Sequence, residues 1–239
     1  MKKGILVIAD GIDGSGKGTI IKALADWASA KKMKIFDLKN YWKTKHAFPE
    51  PDEIKNYDVI VSCEPTFSMV GQAIREEIVR DNNRGYSAWT TAQAFSLDRE
   101  ILYRRVIIPA LEQGKIIFQE RGVTTSMIYQ PVQKEPLELE KIIELSGNQL
   151  ALKYRPDLLI ITLVDPKEAV RRLAERDKKD NTIFEKLPFL EKLAARFTAP
   201  WFRKIMEKQG SKFVYLKTDK TVYDTIEESI KIWEKFYKK

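Results

Sequence analysis

Gly11-Ile12-Asp13-Gly14-Ser15-Gly16-Lys17-Gly18-Thr19 is the stretch that decides the fold. It follows the apolar run Ile5–Ala9 and opens a helical pattern over Lys17–Ala30. Strand, glycine-rich turn and helix in that order are the context in which such a match reads as a phosphate-binding loop. The glycines let backbone N–H groups turn inward around an anion. The helix adds its positive dipole end, and Lys17 adds a full charge toward the β- and γ-phosphates of a nucleotide. All nine residues, from Gly11 to Thr19, are therefore candidate ATP-binding residues. The position after the lysine is Gly18, where a hydroxyl residue is usual, and Thr19 follows one place later.

Outward from the loop, short apolar runs alternate with longer helical patterns. The spacing predicts strands over Ile5–Ala9, Lys34–Leu38, Val59–Cys63, Lys115–Gln119, Leu158–Leu163 and Phe213–Leu216. It predicts helices over Lys17–Ala30, Met69–Arg80, Trp89–Gln113, Leu137–Lys153, Pro166–Arg176, Glu185–Lys208 and Thr221–Tyr237. Alternation of this kind implies a parallel sheet with helices on both faces. The expected fold is α/β, a P-loop NTPase-type parallel sheet, in one domain over residues 1–239. Ligands of such sheets bind at the carboxyl ends of the strands. The stretch from about 40 to 56 holds two prolines and the single histidine, His46, and reads as a surface insertion.

Composition narrows the function classes. A hydrophobic fraction of 44% supports a sizeable core, and no apolar run reaches membrane-spanning length. Ile5–Ala9 is too short for a signal-peptide core, and the lone Cys63 fits a reducing, cytoplasmic compartment. The net charge of +8 suits a protein that handles polyanions, but lysines interleave with glutamates, as in Glu227, Glu228, Lys231, Glu234 and Lys235. That pattern describes solvated helix faces, so no nucleic-acid partner and no membrane are expected.

Two pairs point to an acceptor beyond ATP. Phe95 and Arg99 are four apart and share a helix face, which offers a ring for a base and a guanidinium for a base edge or a phosphate. Glu120 and Arg121 end an apolar strand, where a sheet ligand should lie. Hydrolysis alone needs neither pair, which argues against a simple P-loop ATPase or a regulatory nucleotide-binding module.

The chain resembles the thymidylate kinase family over nearly its full length. The resemblance rests on Glu64-Pro65-Thr66, Gly71, Ile74 and Arg75, on Phe95-Ser96-Leu97-Asp98-Arg99, and on Ile108-Pro109-Ala110-Leu111. It continues through Glu120-Arg121, Ser126, Tyr129, Gln130, Pro156-Asp157, Val164-Asp165-Pro166, Arg172 and Arg176. It implies transfer of a phosphoryl group from ATP to dTMP with Mg²⁺, giving ADP and dTDP, in a cytoplasmic homodimer. The alternative is a P-loop kinase of another nucleoside monophosphate or of a deoxynucleoside. Lys17, Asp13, Arg121 and Arg176 are the catalytic candidates. Glu64, Phe95, Arg99, Arg121, Ser126, Tyr129 and Gln130 are the acceptor-binding candidates. The resemblance implies Asp13 and Glu120 as carboxylates for Mg²⁺, through water. Some members carry a catalytic arginine in the phosphate loop where this chain has Gly14. Here the resemblance implies a lid over about 176–186 that supplies the charge, with Arg176 first and Lys178 or Lys179 next. The chain departs from the family pattern at Asp10, Cys63, Glu120 and Gly122, where glutamate, arginine, aspartate and tyrosine are usual.

Overall fold

The computed structural model describes residues 4–80, 82–175 and 186–238. Six strands form one sheet: β1 (Ile5–Asp10), β2 (Ile35–Asp37), β3 (Val59–Cys63), β4 (Ile116–Glu120), β5 (Leu158–Leu163) and β6 (Lys212–Lys217). Their order is β2-β3-β4-β1-β5-β6, and every pairing is parallel. The helices are α1 (Lys17–Ala30), α2 (Leu38–Lys45), α3 (Met69–Ala73), α4 (Ala88–Leu102), α5 (Ile108–Glu112) and α6 (Val123–Tyr129). Then come α7 (Leu139–Glu144), α8 (Ser146–Lys153), α9 (Pro166–Ala174), α10 (Leu187–Phe197), α11 (Pro200–Lys208) and α12 (Val222–Tyr237).

Strand alternation divides the core. Leu6 and Ile8 of β1 point into one cluster with Ile117, Leu159, Leu102 and Phe202. Val7 and Ala9 point into another with Ile20, Leu24, Phe118 and Trp233, under α1 and α12. Burial on both faces explains why the strands read as continuous apolar runs.

The strand order positions the site. From β1 the chain crosses to one side of the sheet, and from β4 it crosses to the other. The carboxyl ends of β1 and β4 therefore sit at a topological switch point, where a crevice opens. β1 ends at Asp10, before the phosphate loop, and β4 ends at Glu120, before Arg121.

Several expected helices are broken or reshaped. Met69–Arg80 is α3 followed by a π turn over Ile74–Ile78, and a second π turn, Tyr103–Ile107, joins α4 to α5. Leu137–Lys153 splits at Leu145, whose ψ of 134° is extended. Glu185–Lys208 splits at Ala199, because Pro200 forces the residue before it out of helical ψ and then starts α11. The stretch expected as a surface insertion over about 40–56 is mostly exposed but anchored at several points. Leu38–Lys45 is a helix, capped by the Asp37 carboxylate on the Lys39 and Asn40 amides, and Trp42, Phe48 and Ile54 are core residues. Prolines and a histidine hid three large apolar anchors, Trp42, Phe48 and Ile54, which lie too far apart to show a helical or strand period. The expected lid, including Arg176, Lys178 and Lys179, lies outside the described residues apart from Lys186 at the N-cap of α10. Among the described residues no helix is long and apolar enough to cross a membrane.

Candidate active site

The phosphate loop is braced from below and open above. Ser15 Oγ and Thr162 Oγ1 share a hydrogen bond of 2.6 Å, and Thr218 Oγ1 donates to the Ser15 carbonyl at 2.9 Å. Gly16 caps α1 with a left-handed φ of 86° and no side-chain cap, so the first-turn amides are left for an anion. Gly14 has φ 79°, and a Cβ there would stand 2.5 Å from the Ala169 carbonyl oxygen of α9. A bulky cation at position 14 is thus excluded by backbone, which agrees with its absence from this loop. Lys17 donates to the Ile12 carbonyl at 2.7 Å and is buried. Burial and the neighbouring Arg121 push its ammonium down to about 8, against the pull of Asp13, Glu120 and Asp10.

A cavity of about 680 Å³ opens between this loop and the ends of β3 and β4. Of the expected acceptor residues, Glu64, Phe95, Arg121, Ser126, Tyr129 and Gln130 line it, together with Asp13, Lys17 and Glu120. Arg121 takes a left-handed φ of 65° directly after β4, a conformation that costs a non-glycine residue about 1–2 kcal/mol. It is held there by its own amide, which donates to the Ala9 carbonyl at 2.9 Å, and by an ion pair with Asp13. Tyr129 completes the triangle: it accepts from Arg121 Nη1 at 3.3 Å and donates to Asp13 Oδ2 at 2.9 Å. Burial opposes charge on Arg121, but Asp13, Tyr129 and Asp10 keep the guanidinium protonated. Tyr129 is buried on α6, a helix absent from the expected elements because its residues show no polar alternation: Val123, Thr124, Ser126, Met127, Ile128 and Tyr129 are all buried. Asp10 accepts from the hydroxyls of Thr124 and Thr125, so its carboxylate anchors α6 to β1.

Arg99, read from the sequence as a guanidinium for a base edge or a phosphate, is 1% exposed and is not among the residues that line the cavity. Its Nε donates to Glu64 Oε2 at 2.8 Å, its Nη2 to the Gly122 carbonyl and Ser126 Oγ at 3.2 Å, and its Nη1 to Asn148. The adjacent Asp98 holds the next residues of the same loop, accepting from the Thr66 amide at 2.8 Å and the Thr66 hydroxyl at 2.6 Å. Asp98-Arg99 is therefore a clamp that fixes Glu64-Pro65-Thr66 in the cavity wall. Burial lifts the Glu64 carboxyl to about 7 even with Arg99 beside it.

Other lining residues were missed. Arg75 lies over the Phe67 ring at 3.8 Å and donates from Nε to the Pro65 and Thr66 carbonyls at 3.1 and 3.0 Å. Lys39, Trp42 and Lys43, at the spacing of one helical face, come from α2, and His46 is its C-cap. The cations Lys17, Lys39, Lys43, Arg75, Arg80 and Arg121 outnumber the carboxylates Asp13, Glu64, Glu76 and Glu120 along the wall, which suits an anionic guest. The buried side-chain amide oxygen of Gln130, Oε1, has no hydrogen-bond partner among the described residues, so it is available to a donor from a guest.

A P-loop at one end and a basic, aromatic-lined cavity at the other fit a two-substrate phosphotransferase, and comparison with known proteins agrees. The family model described as thymidylate kinase matches residues 52–230. A probable thymidylate kinase of Thermococcus gammatolerans is 32% identical over 195 residues, covering 79% of this chain and 78% of the relative. The thymidylate kinase of Caldicellulosiruptor saccharolyticus is 29% identical over 237 residues, covering 99% of both chains. That of Mycoplasmoides gallisepticum is 26% identical over 238 residues, covering 98% of each. With the phosphate loop and the acceptor cavity on adjacent strand ends, the chain belongs to the thymidylate kinase family of nucleoside monophosphate kinases.

Proposed function

We propose that this protein transfers the γ-phosphoryl group of ATP to dTMP, giving ADP and dTDP. The carrying observation is that Lys17 of the phosphate loop and Arg121 of the β4 end face one cavity that Phe95 also lines. Phosphoryl transfer needs alignment and charge neutralisation rather than covalent help. The loop amides and Lys17 hold the donor phosphates. Arg121, preset by Asp13 and Tyr129, aims the acceptor phosphate in line. Phe95 stacks on the base. With Arg99 committed to Glu64, the polar edge of the base is read by the Gln130 amide and Arg75, both on the cavity wall. Tyr129 lies under the sugar, where it crowds a 2′-hydroxyl.

Mg²⁺ is the metal that ATP chemistry implies. Among the described residues no cluster of three or more His, Cys, Asp or Glu is placed to cage a metal. One carboxylate does reach the loop: Glu120 Oε2 lies 3.6 Å from where a Cβ at position 18 would stand. A single carboxylate beside substrate phosphates is the donor set that suits Mg²⁺, which keeps most of its waters. Glu120, with Asp13 near it, would hold the ion through water in place of a hydroxyl at position 18. When bound, Mg²⁺ supplies charge neutralisation on the β- and γ-phosphates. Because Gly14 leaves no room for a cation, Arg176 supplies the remaining positive charge, with Lys178 and Lys179 as further donors.

The protein acts as a cytoplasmic homodimer in this reading. Support for the dimer comes from α4, where Trp89 and Leu97 stand 41% and 51% exposed on one helix face. The test is an initial-rate screen of nucleosides and monophosphates with ATP and Mg²⁺, following ADP release. Preference for dTMP, with dUMP next, is expected; preference for AMP, GMP or a nucleoside overturns the reading.

A further inference from the structure

Cys63 ends β3 beside Glu120, its register partner at the end of β4, and both face the acceptor cavity. Position 63 adds no charge there: burial pushes its thiol up to about 11, so it is neutral at physiological pH. Lys39 reaches across the same two strand ends from the first turn of α2. Its Nζ lies 3.0 Å from Glu120 Oε2, and its side chain, 35% exposed, lines the cavity.

We propose that Lys39 is an acceptor-binding residue, a second cation beside Arg121 that holds the phosphate of the nucleoside monophosphate. The inference rests on the monophosphate kinase reading above. A monoester phosphate carries a charge of about −1.5 to −2 at neutral pH. Arg121 alone is a poor match for it, because that guanidinium is already shared with Asp13 and Tyr129 and lies 3.9 Å from Asp10. Lys17 is tied to the Ile12 carbonyl and belongs to the donor end. Glu120 would also repel an incoming phosphate unless a cation stood between them. Lys39 answers both needs. An ammonium has three donors, and one goes to Glu120, so two remain for phosphate oxygens without releasing that carboxylate. The position is rigid because Leu38 and Trp42, on either side of it in α2, are buried in the core, and Asp37 caps the helix.

The experiment is calorimetric binding of dTMP and of thymidine to wild type, Lys39→Met, Lys39→Gln and Lys39→Arg, without ATP or Mg²⁺, followed by steady-state kinetics. Thermal melts establish that each variant is folded. Removing a charge-assisted hydrogen bond to phosphate should weaken dTMP binding by at least about 10-fold. Thymidine binding and the KM for ATP should stay within about 2-fold, and Lys39→Arg should recover most of the loss. The double variant Lys39→Met/Glu120→Gln separates contact from neutralisation. If Lys39 only neutralises Glu120, dTMP affinity returns in the double variant, and the proposal is wrong. Equal weakening of dTMP and thymidine, which a merely structural role predicts, also overturns it. If wild type uses another nucleoside monophosphate, the dTMP reading fails and the same comparison is made with that monophosphate and its nucleoside. If it binds and phosphorylates none, both fall.

Discussion

Replacing Arg99 by methionine separates two roles for the same side chain. In the structure Arg99 and Glu64 are 1% and 3% exposed and paired at 2.8 Å. Breaking a buried ion pair from one side strands the other charge and costs about 3–5 kcal/mol. For a domain of this size each kcal/mol shifts Tm by about 2–4 °C, so Arg99→Met should melt roughly 6–20 °C lower. The deficit should depend on pH. Glu64 is held at about 7, above its ordinary 4.5, chiefly by burial. A raised carboxyl makes the folded state bind more protons than the unfolded state, so stability falls as pH rises from 4.5 through 7. Without Arg99 the carboxyl rises further and that window extends above 7. The gap in Tm between variant and wild type should therefore be wider at pH 8 than at pH 5. Adding Glu64→Gln to Arg99→Met should recover part of the loss, because no charge is then stranded. The assay is thermal unfolding at both pH values, with kcat/KM for dTMP and dCMP measured alongside. An Arg99→Met protein that melts within about 2 °C of wild type but no longer distinguishes dTMP from dCMP would refute the clamp and restore Arg99 as a direct reader of the base.

Lys17→Ala should keep a near-native Tm and lose at least about 100-fold in kcat, since one preorganised charge at a transferring phosphate is removed; near-native turnover would sink the phosphate-loop assignment. With Lys17 at about 8 in the free enzyme, its charge is present below that pH and lost above it. The kcat/KM for ATP should fall above about pH 8, while kcat at saturating ATP holds to higher pH because bound phosphates favour the ammonium; superimposable profiles would exclude Lys17 as the group responsible. Phe95→Ala should raise the KM for dTMP by about 5- to 150-fold, the equivalent of 1–3 kcal/mol of stacking, with the KM for ATP unchanged. Arg176→Ala should lower kcat more than it raises the KM for acceptor; an unchanged kcat would move the role to Lys178 or Lys179.

The sheet was legible because its strands are buried on both faces and bounded by turns. Val59–Cys63 and Leu158–Leu163 run over the residues expected for them, and the other strands differ by one residue at one or both ends. Helix α1 begins and ends as its pattern predicts. What escaped was packing that has no period. Helix α6 is buried nearly all round, so it shows no stripe, and the eight residues of α2, three of them lysines, are too few to show one.

The site divides along the same line. Backbone-determined parts are visible in a sequence: glycines mark the phosphate loop, and a charged pair after an apolar strand marks Glu120-Arg121. The division of labour among arginines is not visible, because it depends on depth. Arg99 and Arg75 both stand on helices beside the Glu64-Pro65-Thr66 loop, yet one is sealed behind it and the other faces the cavity. The difference follows from who meets whom. Glu64 turns inward, so a cation must follow it into the core, and Arg99 is one turn beyond Phe95 on the buried side of α4. Arg75 instead meets the carbonyls of Pro65 and Thr66, which are neutral, so its charge stays unspent at the cavity wall. Phe95 and Arg99 share a helix face but not a depth: the ring reaches the cavity, and the guanidinium fixes the loop in the cavity wall.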